Sequence, residues 1–221
     1  MSVHLKREID HLKQMLLEQC SRVEEHLWKS VRAVETWDGT LARQVIDRDT
    51  EIDRKEVDIE EECLKMLALY QPVAIDLRYI ITALKINNDL ERIGDLAVNI
   101  AERAEYLSAH EQIEIPSDLE RMAVNSQAMV RQSIDALVNL DCSTAHRVCQ
   151  SDDEVDALHK SMYEHIQERI RRRPEQMESL MHLLSVSRHL ERIADHATNI
   201  AEDVIYLVEG HIIRHKKQDP R

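Results

Sequence analysis

Apolar residues recur at helical spacing along almost the whole chain, and the interruptions are few. Between about residues 3 and 36, Leu5, Ile9, Leu12, Leu16, Val23, Leu27, Val31 and Val34 follow one another at gaps of 3, 4 and 7, the stripe of one amphipathic helix. Asp38-Gly39-Thr40 interrupts it. A second helix carries Leu41, Val45, Ile52, Ile59, Cys63, Met66 and Tyr70 on one seam and stops at Gln71-Pro72, since proline disfavours a helical residue before it. A third, from about residue 74 to 108, places Ile86, Leu90, Ile93, Ala97, Ile100, Ala104 and Leu107 at alternating gaps of 4 and 3. Three such helices make a bundle.

A polar link over residues 108–116 follows, and Ser117-Asp118-Leu119-Glu120 reads as a capping box that opens a fourth helix. A break near Asp141 leads to a fifth, through Val148, Val155, Leu158, Met162, Ile166 and Ile170. Arg171-Arg172-Arg173-Pro174 ends it, the cations complementing the helix dipole. The sixth runs from about residue 175 to 209, with Gly210 as its C′ residue. The pattern predicts an all-α protein of six long helices, two tandem repeats of a three-helix bundle over residues 1–110 and 111–210, then a basic C-terminal tail at 211–221.

The repeat is explicit in the sequence. LERIGDLAVNIAE at 90–102 and LERIADHATNIAE at 190–202 agree at ten of thirteen positions with an offset of 100. The second and fifth helices match at an offset of 103, where Val45, Asp49, Glu51 and Asp53 fall on Val148, Asp152, Glu154 and Asp156. Leu90, Ile93 and Ile100 recur as core positions. Glu91, Asp95, Asn99 and Glu102 recur as well, and packing of the apolar seam does not require them.

Composition narrows the class. Of 221 residues only 3 are Gly and 4 Pro, Phe is absent and aromatics are 3%, which leaves few turns and little β-forming material for a sandwich or barrel. The formal net charge of −13 excludes a general nucleic-acid binder, because phosphate neutralisation needs a basic surface. No apolar run reaches the ~18 residues of a spanning helix. Cys20, Cys63, Cys142 and Cys149 show neither zinc-knuckle nor redox spacing, and the charged N-terminus has no signal-peptide core, so a cytoplasmic protein with reduced thiols is expected.

Four acid-x-x-x-acid pairs stand at repeat-equivalent places: Asp49/Asp53, Glu91/Asp95, Asp152/Asp156 and Glu191/Asp195. Residues at i and i+4 share a helix face, so each pair aims two like charges the same way. Two such helices side by side present four carboxylates to one spot, a ligand set for Mg, Ca, Mn or iron; any one pair alone reads more readily as solvated surface, and it is the recurrence at four equivalent places that favours metal. Asp49 and Asp53 flank their seam and Glu91 and Asp95 lie nearly opposite theirs, so a metal is expected on the flank of the bundle. A ferritin-like oxidase buries two Glu-x-x-His motifs, whereas only Glu8-Ile9-Asp10-His11 has that spacing here, with His11 expected to be exposed. His159 offers a nitrogen ligand in the second half alone, Glu56 being its counterpart. His189 and His196 adjoin the last pair, but their counterparts Asp89 and Leu96 make neither a required ligand. There is no phosphate-cradling glycine loop, no nucleophile elbow and no Cys/His arrangement, so no catalytic residue is assigned and no organic cofactor is expected.

The doubled L-E-R-I-x-D-x-A-x-N-I, with QPVAIDLRYI upstream and NIAEDVIYLVEG downstream, resembles the PhoU family of phosphate-transport regulators over nearly the whole chain. That resemblance implies a regulator and not an enzyme. It implies metal motifs at Asp49, Asp53, Glu91 and Asp95 in one repeat and Asp152, Asp156, Glu191 and Asp195 in the other, with iron or manganese, or else Mg, Ca or Zn, as the ion. It further implies restraint of the Pst phosphate transporter and of the phosphate-starvation response, through the transporter ATPase PstB and the sensor kinase PhoR. A cytoplasmic homodimer that reaches the membrane only through those partners is expected. The alternatives are a metal-free helical adaptor for another phosphate carrier and a carboxylate-bridged metalloenzyme.

Overall fold

The computed structural model describes residues 3–211. Within them lie seven α-helices, α1 (Val3–Thr36), α2 (Gly39–Asp47), α3 (Asp49–Tyr70), α4 (Ala74–Ser108), α5 (Ser117–Asn139), α6 (Cys142–Arg172) and α7 (Met177–Glu209), with a single 3-10 turn at Pro174–Gln176 before α7. No strand occurs among the described residues. His211 is exposed, and the rest of the expected basic tail, 212–221, lies outside them.

Two chain reversals show how literally the repeat is built. Trp37 and Leu140 take left-handed backbone angles, φ 55° and 52°. The following Asp38 and Asp141 then return their N–H groups to Ala33 O and Ala136 O, each at 3.0 Å. Those bonds close the preceding helix in the manner of a Schellman turn. The same two aspartates cap the next helix: Asp38 Oδ1 accepts from the amides of Thr40 and Leu41, and Asp141 Oδ1 from those of Ser143 and Thr144. One side chain thus satisfies two of the orphan donors at the start of the next helix.

Two local expectations are corrected. The second helix is not continuous: it breaks at Arg48 (φ −101°, ψ 3°) into α2 and α3. The seven-residue step from Val45 to Ile52 fits a continuous or a broken helix equally, and the break places Asp49 and Glu51 in the first turn of α3, where the helix dipole favours acids. The capping box at Ser117 does not form. Pro116 takes the cap position with extended angles, no side chain caps it, and its carbonyl accepts the amide of Leu119 at 2.9 Å.

α1, α2–α3 and α4 pack as one bundle, α5, α6 and α7 as the other. Leu12, Leu16, Leu27, Ile52, Ile59, Ile86, Leu90 and Ile93 are almost fully buried in the first, and Val148, Val155, Met162, Leu183, Ile193 and Ile200 in the second. The bundles join mainly through α4 and α7, with α1 also touching α5. Lys85 meets Asp203 and Tyr106 meets Glu178, so α4 and α7 run antiparallel. α4 is therefore covered on more than its own bundle's side, which is why Asp89 is buried against His196 and Asn199 although it lies off the predicted seam.

Candidate metal centre

Asp49, Asp53 and Asp95 each present one carboxylate oxygen within 4.8 Å of the others. The site follows from three local facts. The break at Arg48 starts α3 at Asp49, so Asp49 and Asp53 occupy successive turns of one face. Gly94 then lets α3 approach α4, since a Cβ there would stand 3.2 Å from two carbons of Ile52. Asp95, next in sequence, is thereby held opposite the two aspartates. Glu91, one turn earlier on α4, is half-buried and not turned away from the bundle. That corrects its expected placement opposite the seam: the groove between α3 and α4 receives both acids of the pair.

The electrostatics mark this groove as crowded with negative charge. Burial, then Asp53 and Asp95, push the Asp49 carboxyl upward. Burial, then Asp95, do the same to Glu91, with Arg92 opposing. Arg92 is the local counter-charge, its Nη1 donating to Asp95 Oδ2 at 3.1 Å and its Nε lying 3.3 Å from Glu91 Oε2. Asp49 Oδ1 is nevertheless buried with no hydrogen-bond partner. A buried, unpaired carboxylate oxygen among like charges is costly unless a cation completes it.

The second repeat builds the matching groove from α6 and α7. Asp152 and Glu191 are half-buried, and Asp156 and Asp195 more exposed. Burial, then Asp195 and Asp156, push Asp152 up to about 6, with the nearby Thr198 hydroxyl opposing. Glu191 and Asp195 are raised too, by burial and then by the neighbouring acids. Asp152 Oδ1 is buried without a partner, repeating Asp49. Asp152 sits inside a continuous helix, unlike Asp49, and the tight three-oxygen set occurs in the first repeat alone among the described residues. All eight sequence-predicted acids therefore fall in two equivalent grooves on the flanks of the bundles.

Of the histidines among the described residues, His159 alone adjoins a groove, sharing a cavity with Asp156 and Glu191. His159 Nδ1 lies 3.0 Å from Ser187 Oγ, as its counterpart Glu56 lies beside Asn87. His196 Nδ1 donates to Asp89 Oδ1 at 2.8 Å across the junction of the bundles, and His11 is exposed. A cavity of about 480 Å³ opens beside the second groove, lined by Asp156, His159, Tyr163 and Glu191 among others. Sequence reasoning missed Arg92 and Thr198 as groove neighbours. Arg92 recurs as Arg192 within the repeated motif, which was the available signal.

A family model described as PhoU domain matches twice, over residues 16–104 and 119–204. The phosphate-specific transport system accessory protein PhoU homolog 1 of Thermotoga maritima is 38% identical over 209 residues, 94% of this chain and 90% of the relative. The PhoU homolog of the same description from Aquifex aeolicus is 39% identical over 212 residues, 96% of each. Among solved structures, PhoU from Pseudomonas aeruginosa matches with a TM-score of 0.90 at 36% identity, covering 93% of this chain and 99% of that one.

Proposed function

Because the chain belongs to the PhoU family, we propose that it is a negative regulator of phosphate uptake and of phosphate-starvation signalling. The family is an accessory one of the phosphate-specific transport system and not a family of enzymes. The observation that carries the reading is the doubled match, which covers both repeats in register and nearly the whole length of relatives named as phosphate-transport accessory proteins. On this reading the protein is an adaptor between the Pst transporter, through its ATPase subunit PstB, and the sensor kinase PhoR. It works as a cytoplasmic homodimer. No helix among the described residues is long and apolar enough to cross a membrane, in keeping with contact to the membrane through partners.

The two acidic grooves complete the proposal as metal sites. Asp49, Asp53, Glu91 and Asp95 would hold one set of ions, and Asp152, Asp156, Glu191 and Asp195 the other. The donor set fits, being all oxygen, on adjoining helices, and including a buried carboxylate oxygen in each groove that nothing else satisfies. Bound iron or manganese would supply positive charge. The protein's own residues fix the two helices of each groove at one spacing and leave the acids reachable from solvent.

Deleting the gene in its host should raise alkaline-phosphatase-type activity in phosphate-rich medium, and unaltered expression there would remove the regulatory reading. Elemental analysis of the untagged protein separates the metal reading from a metal-free adaptor: bound iron or manganese supports the first, and a protein that stays metal-free after reconstitution and dialysis supports the second.

A further inference from the structure

The α4–α7 junction is a pseudo-two-fold contact, and its two ends differ in their polar residues. Residues 100 apart exchange roles across it: Arg78 lies over Tyr206 at one end, and Tyr106 donates to Glu178 at the other. At the first end the charged groups are paired, although the buried Thr82 hydroxyl has no partner. Lys85 Nζ is 3.0 Å from Asp203 Oδ1, and Asp89 Oδ1 accepts from His196 and from Asn199 at 3.3 Å. At the second end the counterparts of Asp203 and Asp89 are Arg103 and His189, that of Thr82 is His182, and that of Lys85 is Ser185. Both interfacial carboxylates are replaced by nitrogen-bearing side chains, while Arg78 is replaced by Glu178.

That substitution opens a cleft of about 590 Å³, lined by Arg103, Met181, His182 and Ser185, with Glu175 and Glu178 also on its wall. The protein does not use all the donors it places there. Arg103 Nε, His182 Nδ1 and His189 Nδ1 are buried without partners, and the one carboxylate near Arg103 within ion-pair range is Glu102 at 3.9 Å. Ser185 Oγ lies 3.2 Å from His189 Nε2 and joins that imidazole to the cleft. Tyr106 stacks on His182 with ring centroids 3.8 Å apart and fixes its plane. The hydroxyl of Tyr106 also engages Glu178 at 3.1 Å. The field at His182 is that of a cation: after burial, Arg103 lowers its pKa more than Glu178 raises it.

We propose that this cleft binds a small tetrahedral oxyanion, held by the Arg103 guanidinium with His182 and Ser185 as further hydrogen-bond donors. The ligand supplies the close anionic partner that Arg103 lacks, its one carboxylate in ion-pair range being Glu102 at 3.9 Å. It touches both α4 and α7, and therefore both repeats. The site is separate from the acidic grooves and does not depend on metal in them.

The test is calorimetric titration of the full chain with inorganic phosphate, sulfate and phosphoserine in an anion-poor buffer, followed in parallel by side-chain 15N signals of the histidines. Saturable binding that shifts the His182 signal, weakened tenfold or more in Arg103→Gln and unchanged in Lys85→Gln, is expected. Tighter binding of phosphoserine than of inorganic phosphate would assign the anion to a phosphorylated side chain, and the reverse to the free ion. No saturable binding of any of the three overturns the proposal. So does equal affinity in Arg103→Gln, or loss of binding in Glu191→Ala/Asp195→Ala with Arg103→Gln unaffected, which would put the anion at the acidic groove. Should Arg103→Gln fail to fold, absence of a His182 shift in the unaltered protein overturns it equally.

Discussion

Ile52 of α3 stands so close to Gly94 of α4 that a Cβ on residue 94 would meet its Cδ1 and Cγ2 at 3.2 Å. The repeat-equivalent residues are Val155 and Ala194, both buried. A larger side chain against glycine in one repeat is matched by a smaller one against alanine in the other, with the same total of carbon.

Gly94→Ala alone therefore overfills the contact and is expected to destabilise by about 1 kcal/mol, the overpacking exceeding the gain in helix propensity. Ile52→Val alone should cost about 1 kcal/mol as a cavity. Combined, they recreate the second repeat's pair, and Ile52→Val should cost almost nothing in the Gly94→Ala background. Urea unfolding of the four proteins measures the coupling; strict additivity would mean the helices adjust freely at this point.

The acidic groove of the second repeat makes a signed prediction. Asp152, pushed up to about 6, holds its proton in the folded state over a window where the unfolded chain has lost it. Stability of the metal-free protein from this group falls as pH rises from about 4 through 6. Asp152→Asn should stabilise the metal-free protein by about 1 kcal/mol at pH 7.5, the figure being kept small because a half-exposed site is screened. The advantage should vanish near pH 4. Denaturation of both proteins at the two pH values checks it, and an equal difference at both would show that charge is not the cause.

Replacing Glu91 and Asp95 together by Ala should remove the metal of the first groove while leaving helicity nearly unchanged. Both residues are half-buried at the groove and outside the fully buried core. Elemental analysis should then show about half the original metal, and a collapse of the circular-dichroism signal would mean that these acids are structural.

Leu190 is 1% exposed, and its carbonyl accepts the Ser126 hydroxyl at 3.0 Å. Leu190→Asp places an unpaired charge there and should destabilise by about 4 kcal/mol or more. Thermal melting reads this directly, and an unchanged midpoint would contradict the packing of α5 against α7.

Much of this architecture was legible in the sequence because long helices advertise themselves by period. The bounds of α1 and α4, the stop at Gln71-Pro72 and the aspartate corners at 38 and 141 all follow from spacing and turn chemistry. The break at Arg48 was not, because a seven-residue apolar step is two turns of one helix or a step across two. The cap at Pro116 was hidden by a motif that matched one residue too late. Glu91 was misplaced for a tertiary reason: a seam read from one helix alone does not show how far the neighbouring α3 reaches around α4, bringing Asp53 and Glu56 beside it. The pairing of the acids across helices was implied by their recurrence, but the orphaned oxygens of Asp49 and Asp152 are visible only in three dimensions.

The antiparallel α4–α7 contact has a consequence for the short link at residues 109–116. Each three-helix unit carries a face that complements the other unit, with Lys85 and Asp203 split between the two. The link turns what would be dimerisation of two small proteins into a single-chain event at millimolar-order effective concentration. Cutting the link would leave every contact in place and yet make assembly depend on dilution. A separated first unit would then find its nearest substitute partner in another first unit, where the residue facing Lys85 is Arg103 and like charges meet.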